Sequence, residues 1–237
     1  MSMLRLESKP DLIAQTHEAI RSAIMSGDLP PCAPLAQEEL AETLGVSRQP
    51  ISHALVLLKR EGLVVDRGRK GQMVAPIDAG KLLGLYQVRG ALDRLAARLA
   101  AAQSGDGKEE LLHLVREGQS AAERGDVGGV VAADVAFHSA LYELSGNAEI
   151  AATAQGFWSH MARSMRVVVE DRSRWSGIWA EHEAIARAVI GGDIDRAGEL
   201  AARHAENAGE ATHWRLTGEH SRTTTATCRT ENRRNQR

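Results

Sequence analysis

Apolar positions recur along this chain at helical spacing nearly throughout, with one interruption. Leu12, Ile13, Ile20, Ala23 and Ile24 predict a helix over residues 10–26, ended by Gly27 and the Pro30-Pro31 pair. A short helix over 37–44 is stopped by Gly45. Ser47 suits an N-cap, and Pro50 falls in the first turn, where a missing N–H is harmless, so the next helix runs to about Arg60 and closes at Gly62. The interruption spans 63–75. Leu63-Val64-Val65 and Met73-Val74-Ala75 read as two short strands around Asp66-Arg67-Gly68-Arg69-Lys70-Gly71, and Pro76 ends the unit. Beyond it the strand signal is lost. Helices are predicted near 79–103, 108–124, 127–145, 148–169, 175–190 and 193–215, separated by breaks rich in Gly, Asp and Asn. Such short connections favour antiparallel neighbours in a bundle.

The pattern predicts a mainly α fold: an N-terminal winged helix-turn-helix over 8–77 and a C-terminal antiparallel all-helical bundle over 78–216. Residues 217–237 are polar, rich in Thr and Arg and without period, the composition of a disordered tail.

Composition narrows the class. Apolar residues make up 43% of the 237, enough for a core, while aromatics are only 3%. The two cysteines, Cys32 and Cys228, lack metal-like spacing and predict no disulfide framework, which suits a reducing cytosol. No apolar run approaches a membrane span, and a basic start followed by an apolar stretch is missing, so the expectation is a cytoplasmic protein without membrane contact. The net charge of -2 carries no hint of nucleic acid. Charge distribution does.

Within residues 37–55, Leu40, Ala41 and Leu44 form one apolar face, Gly45 permits a tight turn, and Val46 plugs the junction. Ile51, Ala54, Leu55 and Leu58 form the inner face of the second helix. Ser47, Arg48, Gln49, Ser52 and His53 lie near its N-terminus, where a recognition helix meets base edges and phosphates of the major groove. Arg48 can grip guanine bidentately or hold a phosphate, and Gln49 can read adenine. Lys59, Arg60, Arg67, Arg69 and Lys70 place five cations within twelve residues, against Glu61 and Asp66. A solvated charged hairpin would show the same run. A basic strand-turn-strand directly after a helix-turn-helix favours double-stranded DNA.

Gly27-Asp28-Leu29, Pro34-Leu35, Gly45-Val46-Ser47-Arg48 with Pro50, Leu58-x-x-Glu61-Gly62-Leu63 and Lys70-Gly71 occur in order, and together they resemble the DNA-binding domain of GntR-family bacterial regulators over about 10–76. The resemblance implies that Arg48 contacts the operator and that Gly71 on the wing approaches the minor groove. Two positions depart from the family pattern. Ser52 stands where Arg is usual, and Glu38 where Arg is frequent, so phosphate contacts are fewer or the preferred bases differ.

Four residues of the second half have metal-ligand chemistry. Asp134 and His138 are four apart and share a helix face, while His182 and His204 sit on later helices. Three imidazoles and a carboxylate converging in a bundle suit zinc or nickel. Histidines on apolar faces also serve as hydrogen-bonded core residues, and spacing alone leaves both readings open. Asp134-x-x-Phe137-His138-x-x-Leu141, Ser145-Gly146-Asn147, and His182-x-x-Ile185-x-x-Ala188-x-x-x-Gly192-Asp193-x-x-x-Ala197 ending at His204 resemble the FCD domain, the effector domain of the fatty-acid-regulator branch of the GntR family. The resemblance implies a divalent metal ion held by these four residues at the floor of a cavity.

It also implies that Arg89 faces that cavity, where a guanidinium favours a carboxylate effector. A salt bridge to Asp93, its i+4 neighbour, is the competing role. Asn147 is a candidate to support the site or to cap a helix. The functional expectation is therefore a homodimeric repressor, not an enzyme, whose operator affinity is set by an organic acid. Two alternatives are a metal-ion sensor and a metal-dependent hydrolase with a DNA-binding appendage. The hydrolase lacks a partnered general base, since Glu181, next to His182, points about 100° away on a helix.

Overall fold

The computed structural model describes residues 11–104, 106–168 and 171–218. Contacts divide the chain into two compact units, separated between Pro76 and Ile77.

In the first unit, α1 spans Leu12–Ser26. Asp11 caps it by accepting the N–H groups of Ile13 and Ala14, each at 3.1 Å. Then come β1 (Pro34–Leu35), α2 (Gln37–Leu44), α3 (Arg48–Arg60), β2 (Val64–Asp66), a single 3-10 turn (Gly68–Lys70) and β3 (Gln72–Val74). Gly45, at φ 64°, turns the chain from α2 toward α3 in the left-handed region that glycine adopts without strain. Ser47 occupies the N-cap of α3, but its side chain makes no capping hydrogen bond. Pro50 is buried in the first turn.

The sheet has the order β1-β3-β2, both pairings antiparallel, with Val64 opposite Val74 and Leu35 opposite Gln72. The pattern of the sequence did not predict β1. Two residues carry no period, and Pro34 is tolerated because the strand lies at an edge. Ile20, Ile24, Leu35, Ile51, Leu55, Leu58, Leu63 and Val74 close the core, so both helices of the motif and the wing are anchored to it. Cys32 lies in the turn before β1 with φ 68°, and Cys228, the other cysteine of the chain, lies outside the described residues.

The second unit contains α4 (Ala79–Ala102), α5 (Glu110–Arg124), α6 (Val127–Leu144), α7 (Ala148–Val168), a 3-10 turn (Arg172–Arg174), α8 (Trp175–Ile190) and α9 (Ile194–Gly218). Asp78 and Asp126 cap α4 and α6 through their side chains. The helices α4 and α9 run antiparallel, as the pairs Arg94–Glu199 and Arg98–Asp195 and the bond from His213 to the Ala79 carbonyl record. Ala96, Ala97, Ala100, Ala197, Ala201 and Ala205 are buried on these two helices, and Gly90 of α4 lies against Ala202 and Ala205 of α9. Small side chains let two backbones approach closely, and this low-aromatic, alanine-rich composition finds its use there.

Phe137, Leu141, Trp175, Trp179 and Ile185 fill the centre of the bundle. Most of the expected disordered tail falls on 219–237, outside the described residues, but Thr217 and Gly218 continue α9. No helix among the described residues is long and apolar enough to cross a membrane.

Candidate functional site

The bundle brings Asp134 and His138 on α6, His182 on α8 and His204 on α9 together. All four are buried, and one ligand atom from each lies within 4.8 Å of the others. The four-residue interval on α6 places its two ligands one turn apart on the inner face. The remaining two arrive only because α8 and α9 pack on that face.

Hydrogen bonding decides which ring nitrogen each histidine turns inward. His182 donates from Nδ1 to the Ile178 carbonyl at 3.0 Å, leaving an Nε2 lone pair. His204 directs Nδ1 at Glu181 Oε2, 2.7 Å away, and a carboxylate there fixes the proton on Nδ1. His138 Nε2 receives a hydrogen bond from Arg89 and is therefore unprotonated, while its Nδ1, 3.5 Å from Asp93 Oδ2, is buried without a hydrogen-bond partner. The carbonyl behind His182 and the carboxylate behind His204 are the usual outer partners of metal-binding histidines.

Inward-facing acceptors then outnumber donors. His182 Nε2 lies 3.2 Å from His138 Nε2 and 3.3 Å from Asp134 Oδ1. Asp134 Oδ2 is buried with no hydrogen-bond partner. Burial first, and then the charge of Arg89, holds His138 well below the usual imidazole range. Burial likewise lowers His182, so protons are poorly held between the rings. Burial works to raise Asp134, but whenever His182 carries a proton on Nε2 its hydrogen bond and charge, with Arg89, outweigh burial and lower the carboxylate. Lone pairs converging without protons repel one another unless a cation sits among them, and this N/O donor set fits a divalent transition ion.

Above the cluster lies a cavity of about 320 Å³, lined in part by Arg89, Asp134, Glu181, His204, Tyr86 and Thr212. Its volume is that of a small-molecule site. Arg89 reaches it from α4 with its Nε bonded to Asp93 Oδ2 at 3.0 Å, and Asp93 also accepts from Tyr142 at 2.5 Å. Burial opposes the charge on Arg89, but Asp93 and Asp134 outweigh it, and the guanidinium stays protonated. The salt bridge to Asp93 weighed for Arg89 is present, and the same side chain lines the cavity.

Asn147 stands at the start of α7, accepting the Glu149 N–H at 3.1 Å, and is not among the residues lining the cavity. Glu181 was passed over from sequence because it points away from His182. It does so toward α9, where it holds His204 and accepts from Asn207 at 3.1 Å. Only the pairing of α8 with α9 reveals that role.

In the first unit, Ser47, Arg48, Gln49 and His53 are exposed at the N-terminal end of α3, and Ser52 is half-buried. Arg69, Lys70 and Gly71 are exposed on the wing, with Arg67 partly covered. Gly71 has φ 91°, a conformation that favours glycine at the tip of the turn. Arg48 Nη1 pairs with Glu38 Oε1 at 3.1 Å, joining the start of α2 to the start of α3.

Comparison with known proteins places these two units. The model of the bacterial regulatory proteins of the gntR family matches residues 12–74, and that of the FCD domain matches residues 84–207. The chain belongs to the GntR family. It is a transcriptional regulator of that family with an FCD domain behind its DNA-binding domain. An HTH-type transcriptional regulator in an unstable DNA locus of Streptomyces ambofaciens is 31% identical over 180 residues, 74% of each chain. A protein of Paenarthrobacter nicotinovorans described as "Probable D-xylose utilization operon transcriptional repressor" is 29% identical over 60% of this chain and 63% of its own. The solved structure of E. coli McbR/YncC shares the fold with a TM-score of 0.74, at 20% identity, over 90% of this chain and all (100%) of that one.

Proposed function

We propose that this GntR-family regulator is a cytoplasmic, homodimeric repressor whose operator affinity is controlled by a small carboxylate bound in the FCD domain. Residues 8–77 bind the operator and 78–216 bind effector and mediate dimerisation. One observation carries the reading. Four buried acceptors, Asp134, His138, His182 and His204, converge beside a cavity that also holds the charged Arg89. These four residues would hold a zinc or nickel ion, and such an ion supplies a Lewis-acid position for a ligand oxygen. Arg89 supplies a planar donor fork matched to a carboxylate. In the winged domain, Arg48, Gln49, Ser52 and His53 read base edges, with Ser47 at the start of the helix. Arg67, Arg69, Lys70 and Gly71 approach the flanking backbone and minor groove. Asn147 supports α7 and is the least engaged of the proposed effector residues. The repressor sign is supported by the description of the Paenarthrobacter relative.

An operator selected from a randomised duplex library allows a direct test. Protein purified without chelator carries about one divalent ion per chain, lost in His138→Ala/His204→Ala. Zinc, nickel and a panel of small carboxylates are then titrated separately against the complex. Release by a carboxylate, with a coupling of roughly 5- to 150-fold, is expected. Release by the ion alone makes the protein a metal sensor instead, and a metal-free, stable protein removes the ion from the reading.

A further inference from the structure

Arg89 and the four-residue cluster compete for one lone pair. Nε of Arg89 is anchored on Asp93, and its guanidinium lies over the rings of Trp158 and Tyr86, 5.2 and 5.7 Å from their centroids. Its Nη2 donates to His138 Nε2. His138 Nδ1 is turned to Asp93, so Nε2 is the nitrogen that this residue offers to the cluster. A guanidinium only donates, and a metal ligand must present a free lone pair. One nitrogen cannot serve both. A fixed positive charge at hydrogen-bond distance from a ligand atom also opposes a cation there.

We propose that Arg89 and a divalent cation exclude each other at His138 Nε2, and that Arg89, displaced from His138, turns its free edge into the cavity as the carboxylate clamp. This rests on the metal reading above and adds its regulation. Arg89 lines the cavity already, so the displacement needs no rearrangement of α4. The consequence is linkage. The metal-loaded state is the one in which Arg89 is free for a carboxylate, so metal and carboxylate each strengthen the binding of the other. Loss of Arg89 has the opposite effect from loss of a metal ligand: it tightens metal binding.

The experiment measures zinc affinity by competition with a chromogenic chelator, with zinc as the sole added ligand. Wild type is compared with Arg89→Gln and with Arg89→Gln/Asp93→Asn. The double variant removes the Asp93 charge together with that of Arg89 and keeps the net charge of the domain, so neither an orphaned Asp93 nor a general field effect mimics the result. Zinc binding tightened by roughly 5- to 150-fold in the double variant is expected. Unchanged or weaker binding in that variant, with its fold intact by circular dichroism, overturns the exclusion. Absence of zinc and nickel binding in wild type and variants alike overturns the metal reading, and the inference with it.

Discussion

Glu181 and Glu38 are two acids whose roles depend on the basic side chain each one meets. Glu181 holds Nδ1 of a buried histidine at 2.7 Å, whereas Glu38 meets Arg48 in solvent. Burial works to raise the pKa of Glu181, but the hydrogen bond from His204 prevails and lowers it, so the acceptor stays ionised. Glu181→Ala is expected to weaken zinc binding about 10- to 100-fold in chelator competition. Glu183→Ala, on the same helix but bonded to Arg187, is the control that leaves zinc affinity unchanged. Equal affinities in the two variants would deny Glu181 any part in holding His204. In the first unit, Glu38 pairs with Arg48, the cation proposed to meet DNA. Glu38→Gln is expected to tighten binding to a non-specific duplex and to steepen its salt dependence by about 0.9 in log–log slope for one regained phosphate contact. Arg48→Ala weakens operator binding roughly tenfold, the value of a good base contact. Filter-binding titrations across a salt series check both, and an unchanged slope in Glu38→Gln would count against masking.

At the scale of elements, the cluster is positioned by how closely α5, α6 and α8 approach. Gly118 on α5 faces the ring of Trp179 on α8, and a Cβ there would lie 2.0 Å from two ring carbons. Trp179 in turn packs on His182, with ring centroids 4.8 Å apart. Gly118→Ala is therefore expected to destabilise the protein by about 1–3 kcal/mol through overpacking. It should also displace His182 and weaken zinc binding. A melting temperature equal to that of wild type would show that Trp179 yields without effect. The helices themselves were legible in advance, since each apolar period is long and each break carries Gly, Asp or Asn. The strand β1 was not, because pairing with β3, and no local pattern, makes Pro34–Leu35 a strand. Capping was legible only in part: Ser47 takes the N-cap position of α3 without making its hydrogen bond.

For the whole molecule, a cation held among the four buried acceptors, as proposed, would bind the folded state alone. It stabilises that state by about 2.7 kcal/mol when free metal exceeds Kd a hundredfold. Removal with a chelator is expected to lower the melting temperature. Amide exchange should accelerate in α6, α8 and α9, with α1, α2 and α3 unaffected. Uniform acceleration in both units, or none, would argue against a metal confined to the FCD domain. Sequence alone determined the two-unit plan and the helix-turn-helix, because helical period and turn chemistry are local properties, and resemblance to the FCD domain singled out the four candidate ligands. Tertiary structure alone decided that Arg89 serves Asp93 and His138 together, that Glu181 stands behind His204, and that Glu38 meets Arg48. Those contacts join residues 4, 49, 23 and 10 positions apart. Even the nearest, Arg89 with Asp93, has its meaning set by what α6 brings alongside, since burial turns an ordinary i+4 pair into part of a site.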